Sequence, residues 1–379
     1  MKEKKWLIIL LDCLLAGVLL VTFAFFHHVL PKMKTRAKIA HQAELQAKEL
    51  PKEEAPSQPE PVAPEGAPLQ TEEEENREEE PIPEAEGQEE IPEEEPDTRT
   101  PWQIQFGDKF TDEIVQTANS YSSPDISITI TTVDNAEEVK ENPALNHNVY
   151  YIADIYVSSI ECFRSWLAHD TFEVYCTQNI LEMSEDSHAL LAMTGDFYSY
   201  QFQGISVRNG AVYRSDDTNS DICVLYKDGT MTTYSPGDYN KDELLNSGDV
   251  WQLWKFGPRL LDEEGHALSN HNTTETVTYI NPRSAVGYYE PGHYCFIVVD
   301  GRQDGWSTGM RLGELGRIFE DLGCSCAYNL DGGGSAVMVF GNEIYSHQSN
   351  GADRELGDIL LIAEPSEAVE ITAEGGVKP

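Results

Sequence analysis

The chain has 379 residues, of which 66 are acidic and 26 basic, for a net charge of −40. Binding to nucleic acid rests on lysine and arginine displacing counterions from phosphate, so that function class is excluded. The first hundred residues hold 23 acids and 11 bases, which leaves 43 and 15 beyond them, a net of −28. Arginines are therefore scarce in the second part, and where they sit matters.

Residues 6–30 are almost wholly apolar, interrupted by Asp12 and, near the end, by His27 and His28. That length crosses a bilayer as a helix. The run is long for a cleaved signal and no A-x-A-like site follows it, so residues 1–32 are expected to be a membrane anchor with short flanks. Lys2, Lys4 and Lys5 precede it while Lys32, Lys34, Arg36 and Lys38 follow it, so positive charge does not choose an orientation. Residues 33–50, rich in Ala, Lys, Gln and Glu, suit a few more helical turns. From 51 to 101 the composition is Glu and Pro, with runs at 72–75, 78–80 and 93–95. Such a segment repels itself and cannot bury enough apolar surface to offset its ordering entropy, so residues 33–100 read as a disordered acidic stalk.

Residues 101–366 are expected to form one folded domain, with 367–379 a flexible tail. Segments 125–133 and 148–157 are β-rich. Segments 222–226 and 231–234 flank Lys227-Asp228-Gly229-Thr230 and predict a hairpin. Segments 337–340 and 343–345 predict a second hairpin, whose Gly341-Asn342 loop suits a type II′ turn. An apolar strand at 295–299 precedes a helix over 307–322, with Leu312, Leu315, Phe319 and Leu322 on one face, Ser307 or Thr308 as cap and Gly323 as stop. A strand at 327–330 follows. This strand, helix, strand order would bring two loops to one end of a sheet. The fold class expected is α+β, a mixed β-sheet domain with packed helices.

Seven cysteines are present, Cys13 in the apolar segment and Cys162, Cys176, Cys223, Cys295, Cys324 and Cys326 beyond it. No C-x-x-C zinc pattern occurs, and Cys324 and Cys326, two apart, are expected to face the same way as buried core residues. His147, His188, His293 and His347 show no metal-ligand spacing.

The most unusual stretch is NLDGGGS, residues 329–335. No lysine follows the glycines and the next residues are strand-like, so it is not a nucleotide phosphate loop. Gly332, Gly333 and Gly334 could turn their backbone N–H groups inward to form an anion-binding concavity, with Asp331 as base or sugar-hydroxyl acceptor at its rim and Ser335 as donor. The other reading is a tight bulge between strands in which Asp331 bonds its own turn.

Seven stretches in order, MTGDFY (193–198), GISVRNG (204–210), FGPRLLDEEG (256–265), NPRSAVG (281–287), DGRQDGWSTGMRLGELGRIFEDLG (300–323), NLDGGGS (329–335) and DRELGDILLIA (353–363), resemble the phosphodiester glycosidase family. The resemblance spans roughly 189–363. It departs at Thr194-Gly195, where many members have Asn or Ala, and at Ala336, where a second Ser or Thr is common; both bear on substrate preference. The family includes many bacterial surface proteins described as exopolysaccharide-related.

The resemblance implies hydrolysis of a sugar-1-phosphate diester between the anomeric carbon and oxygen. The departing phosphomonoester is a good leaving group, so a site needs anion stabilisation and a carboxylate for the oxocarbenium-like centre or the attacking water. Arg283, with its five-donor fork, suits the diester oxygens, or else a structural salt bridge. Asp196 is a catalytic or sugar-binding carboxylate, or a turn former. Asp331 shares the catalytic role. Arg302 and Asp304 lie before the expected helix, whose N-terminal amides could support an anion, and Ser307 is either cap or ligand donor. Arg354 reads as a surface partner. A divalent cation such as calcium among Asp196, Asp300, Asp304 and Asp331 is suggested by carboxylate density but by no EF-hand spacing, so no metal or cofactor is assigned. The expected partners are a phosphate-containing glycan of the cell envelope and the membrane, with the domain on the extracytoplasmic side of a single-pass anchor. A non-catalytic envelope protein binding the same glycans would keep the arginine and glycines and tolerate loss of Asp196 or Asp331; both are present, which favours an enzyme.

Overall fold

Alternation builds the first sheet. Val149–Val157 buries every second side chain, Val149, Tyr151, Ala153, Ile155 and Val157, as a strand with one face on a core must. A computed structural model describes residues 97–349 and 354–365, all within the unit Ile91–Pro379. The expected anchor, nearly all of the acidic stalk and the expected tail lie outside the described residues. Among the described residues no helix is long and apolar enough to cross a membrane. The first described helix, Pro101–Gln105, is capped by Thr100, whose hydroxyl also donates to the Ser158 carbonyl.

The first sheet has seven strands in the order Val115–Gln116, Ser120–Ser122, Ile126–Asp134, Val149–Val157, His293–Val299, Arg283–Glu290, Cys326–Asn329. A second runs Met231–Tyr234, Ile222–Tyr226, Val250–Trp254, Ile205–Arg208, Ala211–Ser215, and a third Glu343–Ile344, Met338–Phe340, Leu191–Thr194, Asp358–Ile362, Phe163–Leu167. One face of the first sheet packs Ile128, Ile155, Val286 and Phe296 against Met193, Leu360, Met338 and Trp254 of the other two. Its other face packs Ala285, Cys295, Ile297 and Val299 against Leu312, Leu315 and Phe319 of a helix. The fold is α+β, as expected. Neighbouring strands pair antiparallel, and the parallel relation is between His293–Val299 and Cys326–Asn329, which have Arg283–Glu290 between them.

Both hairpins form. In the second, Gly341 and Asn342 have φ of 57° and 64°, so the turn has the I′ pattern of two left-handed residues rather than the expected II′. The helix is Leu312–Asp321, shorter than expected. Arg311 is its cap residue, with Glu314 reaching back to accept from the Arg311 N–H at 2.7 Å. Ser307 does not cap it. Cys324 precedes its strand, its N–H bonding Phe319 O at the helix end, and packs on the helix side beside Cys295, Sγ to Sγ 3.7 Å. Cys326 packs in the core between sheets. The two cysteines thus face opposite ways, because the strand begins only at Cys326.

The strand, helix, strand order does bring loops to one end. Arg283 pairs with Val299, so the start of one strand lies beside the end of its neighbour. The loops at 300–309 and 331–334 leave the sheet there.

Candidate active site

Beneath this end lies a buried ion cluster. Arg208 ends the strand Ile205–Arg208, and its guanidinium is fully buried. Nε donates to Asp358 Oδ2 at 2.7 Å and Nη2 to Asp196 Oδ2 at 3.2 Å, while Nη1 meets the carbonyls of Val207 and Leu253. Asp358 Oδ1 accepts the Asp196 N–H at 2.8 Å. Burial pushes the Asp358 carboxyl up to about 6, against the pull of Arg208. Gly195 permits this approach, since a Cβ there would stand 2.3 Å from Asp358 Oδ1.

Asp196, expected to be catalytic, is sealed in this cluster with no exposed side-chain surface. Its Oδ1 accepts the N–H groups of Phe197 (2.8 Å) and Phe256 (3.1 Å) and its Oδ2 that of Lys255. A carboxylate with this many donors fixes backbone; it is a positioning residue. The expectation of a catalytic Asp196 is corrected on this geometry.

Asp331 is different. It follows Cys326–Asn329, its backbone N–H donates to Gly195 O at 3.2 Å, and the residue is partly exposed. Desolvation pushes its carboxyl up to about 6, with Asp196 adding repulsion and Ser335, Arg354 and the Gly332 N–H (2.9 Å to Oδ1) pulling the other way. Ser335 Oγ, buried, stands near enough to favour the ionised form without an aligned hydrogen bond.

The glycines answer to sterics more than to ligand amides. A Cβ at Gly332 would meet Pro282 O at 2.7 Å, and Gly333 adopts φ 63° with the Arg302 guanidinium 3.0 Å from its Cβ position. Gly333–Ser335 is a turn of 3₁₀ helix. The Gly332 and Gly333 N–H groups are already bonded, to Asp331 Oδ1 and Pro282 O, so the expected three-amide concavity reduces to the N–H of Gly334.

Cations surround this turn. Arg302, exposed and at φ 59°, donates to Asn281 Oδ1 at 2.6 Å. Arg283 is buried, its Nε bonded to Met310 O and its Nη2 to Val277 O and Tyr279 O. It forms no ion pair among the described residues, and burial with the nearby Arg302 brings it down to about 10. The expected bidentate fork is therefore spent on carbonyls; Arg283 contributes field and the remaining Nη1. Arg354, read from sequence as a surface partner, lies over the Tyr200 ring at 5.4 Å and pulls on Asp331.

Of the other expected residues, Asp304 is exposed on the loop and Ser307 is consumed internally, its Oγ donating to Asp300 O and accepting the Val149 N–H. Asp300 accepts from Tyr151, Trp306 and the His347 N–H. Asp196 and Asp300 are bonded in separate networks and Asp304 is exposed, and no cluster of three metal-ligating side chains occurs among the described residues.

Residues 187–363 match the phosphodiester glycosidase family. Over these residues the chain is similar to that family. The matched stretch contains Asp331, the Gly-rich turn, the Arg208 cluster and all three arginines of the site. The SPbeta prophage-derived uncharacterized protein YomE of Bacillus subtilis (strain 168) is 26% identical over 196 residues, 50% of this chain and 30% of that protein. The N-acetylglucosamine-1-phosphodiester alpha-N-acetylglucosaminidase of Bos taurus is 29% identical over 163 residues, 37% of this chain and 30% of the enzyme. The chain thus spans about 30% of the length of these relatives. The catalytic domain of the zebrafish enzyme of the same name, auto-inhibited by its pro-peptide, shares the fold at TM-score 0.51 and 22% identity, covering 66% of this chain and 88% of that one.

Within the matched residues, sequence reasoning missed Arg208 and Asp358 and set Arg354 aside. A signal for the first two was present: each is a charge abutting an apolar β-run, ISVR and DILLI, and a charge placed so is buried only with a partner.

Proposed function

We propose that the domain is a hydrolase that cleaves sugar-1-phosphate diesters at the anomeric C–O bond. The carrying observation is Asp331: a partly exposed residue whose carboxyl desolvation pushes up to about 6, on a turn overhung by Arg302, beside Arg283 and in the field of Arg354. In a chain of net charge −40, three arginines outside any ion pair among the described residues form an anion-attracting end. Arg302, the Arg283 field and the Gly334 N–H hold the diester and stabilise the phosphomonoester as it leaves. Asp331, ionised, serves the oxocarbenium-like centre or the water that attacks it. Relatives named for N-acetylglucosamine-1-phosphodiester support an N-acetylhexosamine as the transferred sugar. The apolar segment 6–30 supports anchoring to the cell membrane with the domain outside the cytoplasm, acting on an envelope or extracellular glycan.

The test is a pH profile on an N-acetylglucosamine-1-phosphate diester. Asp331 must be ionised, so kcat/KM is expected to fall as pH drops through about 6. Arg354 lowers this carboxyl's pKa, so Arg354→Gln is expected to move the acid limb to higher pH. Activity that rises on acidification, or a limb unmoved by Arg354→Gln, contradicts the assignment.

A further inference from the structure

We infer that the exposed aromatic face built by Tyr200 and Phe202, bordered by Tyr175, is a saccharide-binding subsite continuous with Asp331. The inference rests on the reading of Asp331 given above. Phe202 is 52% exposed and Tyr200 37%, on a segment that follows directly from the buried Asp196. Beneath Tyr200 the Phe197 ring stacks at 5.0 Å and 20°, and Phe256 supports Phe197 at 5.3 Å. The amides of both phenylalanines are held by the same atom, Asp196 Oδ1. Tyr175 stands edge-on to Tyr200 and to Phe202, at 5.9 and 5.8 Å. The surface is therefore rigid although exposed, a state that costs apolar hydration with no return inside the fold.

Continuity decides the occupant. Arg354 lies across the Tyr200 ring and acts on the Asp331 carboxyl, so one cation links the aromatic face to the reacting carboxylate. A molecule placed with its anomeric carbon at Asp331 and extended past Arg354 meets flat rings with one cation at their edge. Pyranose rings fit that surface: their C–H faces stack on aromatics and their hydroxyls reach a guanidinium. The substrate is accordingly a glycan longer than one sugar, whose residues beyond the scissile phosphodiester lie on Tyr200 and Phe202. Asp196 then acts through the two phenylalanines as a positioning residue for this subsite.

The experiment compares full-length protein in mild detergent on two substrates with the same scissile N-acetylglucosamine-1-phosphate diester, one a monosaccharide and one extended by two further sugars. For the wild type, kcat/KM is expected to be higher on the extended substrate. In Phe202→Ala and Tyr200→Ala, the ratio of kcat/KM for the extended over the short substrate is expected to fall about tenfold, mainly through KM, with the thermal melt retained. A ratio within about twofold of wild type overturns the subsite while leaving the reaction standing. Should the wild type hydrolyse neither substrate, the reaction reading fails and calorimetry with a phosphate-free N-acetylhexosamine trisaccharide decides the subsite. Binding by wild type that is lost in Phe202→Ala supports it, and no binding by wild type overturns it.

Discussion

Asp331→Asn is expected to lower kcat on a sugar-1-phosphate diester by roughly a hundredfold or more, the scale of a lost acid–base or charge-stabilising group. The fold should not suffer. A carboxyl raised to about 6 in the folded protein, above the ~3.9 of an unfolded chain, holds an extra proton between those values. Stability from this group is then present below ~4 and is lost as pH rises through 6, so at neutral pH the ionised side chain is a burden on the fold. Asparagine removes that burden, and the melting temperature at pH 7 is expected to stay level or rise. Loss of activity with an undiminished melt marks a residue held for chemistry. A fall in both would mark Asp331 as part of the turn's own bonding.

Arg208→Met is expected to do the reverse, with its main effect on stability. Arg208 is the described cation bonded to both Asp196 and Asp358, and removing it strands two buried carboxylates. Breaking a buried pair costs roughly 3–5 kcal/mol, which for a domain of this size lowers the melting temperature on the order of 10 °C. The deficit has a pH signature. Without the guanidinium, which holds the Asp358 carboxyl down against its burial, that carboxyl titrates higher still in the folded state, so stability is lost as pH rises and the gap from wild type narrows on acidification. Adding Asp196→Asn and Asp358→Asn to the variant should restore part of the loss at neutral pH. A melt within about 2 °C of wild type would mean that the cluster does not hold this end of the sheets.

Much of this was legible because it was local. Two hairpins, the apolar face of Leu312–Asp321 and the convergence of two loops at one sheet end all follow from turn residues, helical spacing and the strand, helix, strand order. Asp331 and its glycines were legible for the same reason. Non-local pairing was not. Arg208 and Asp358 are 150 residues apart in sequence, and nothing nearby names one as the other's partner. Arg283 was read as a phosphate fork because its side-chain chemistry permits it, yet the carbonyls of Val277, Tyr279 and Met310 took most of its donors. Ser307 had the sequence of a cap, but tertiary bonds to Asp300 and Val149 claimed its hydroxyl and the helix began after Arg311 instead. Asp196 shows the same competition: its charge acts on Asp331, yet its own oxygens are taken by Arg208 and the N–H groups of Lys255, Phe256 and Phe197.

The central claim is which bond breaks. Attack at the anomeric carbon, with Arg302 and its neighbours stabilising a departing phosphomonoester, puts solvent oxygen on the sugar, whereas attack at phosphorus puts it on the phosphate. Hydrolysis of an N-acetylglucosamine-1-phosphate diester in oxygen-18 water, read by mass spectrometry before the anomeric hydroxyl exchanges, is expected to place the label on the sugar and leave the phosphomonoester unlabelled. Label on the phosphomonoester would contradict the glycosidase mechanism even in a fully active protein.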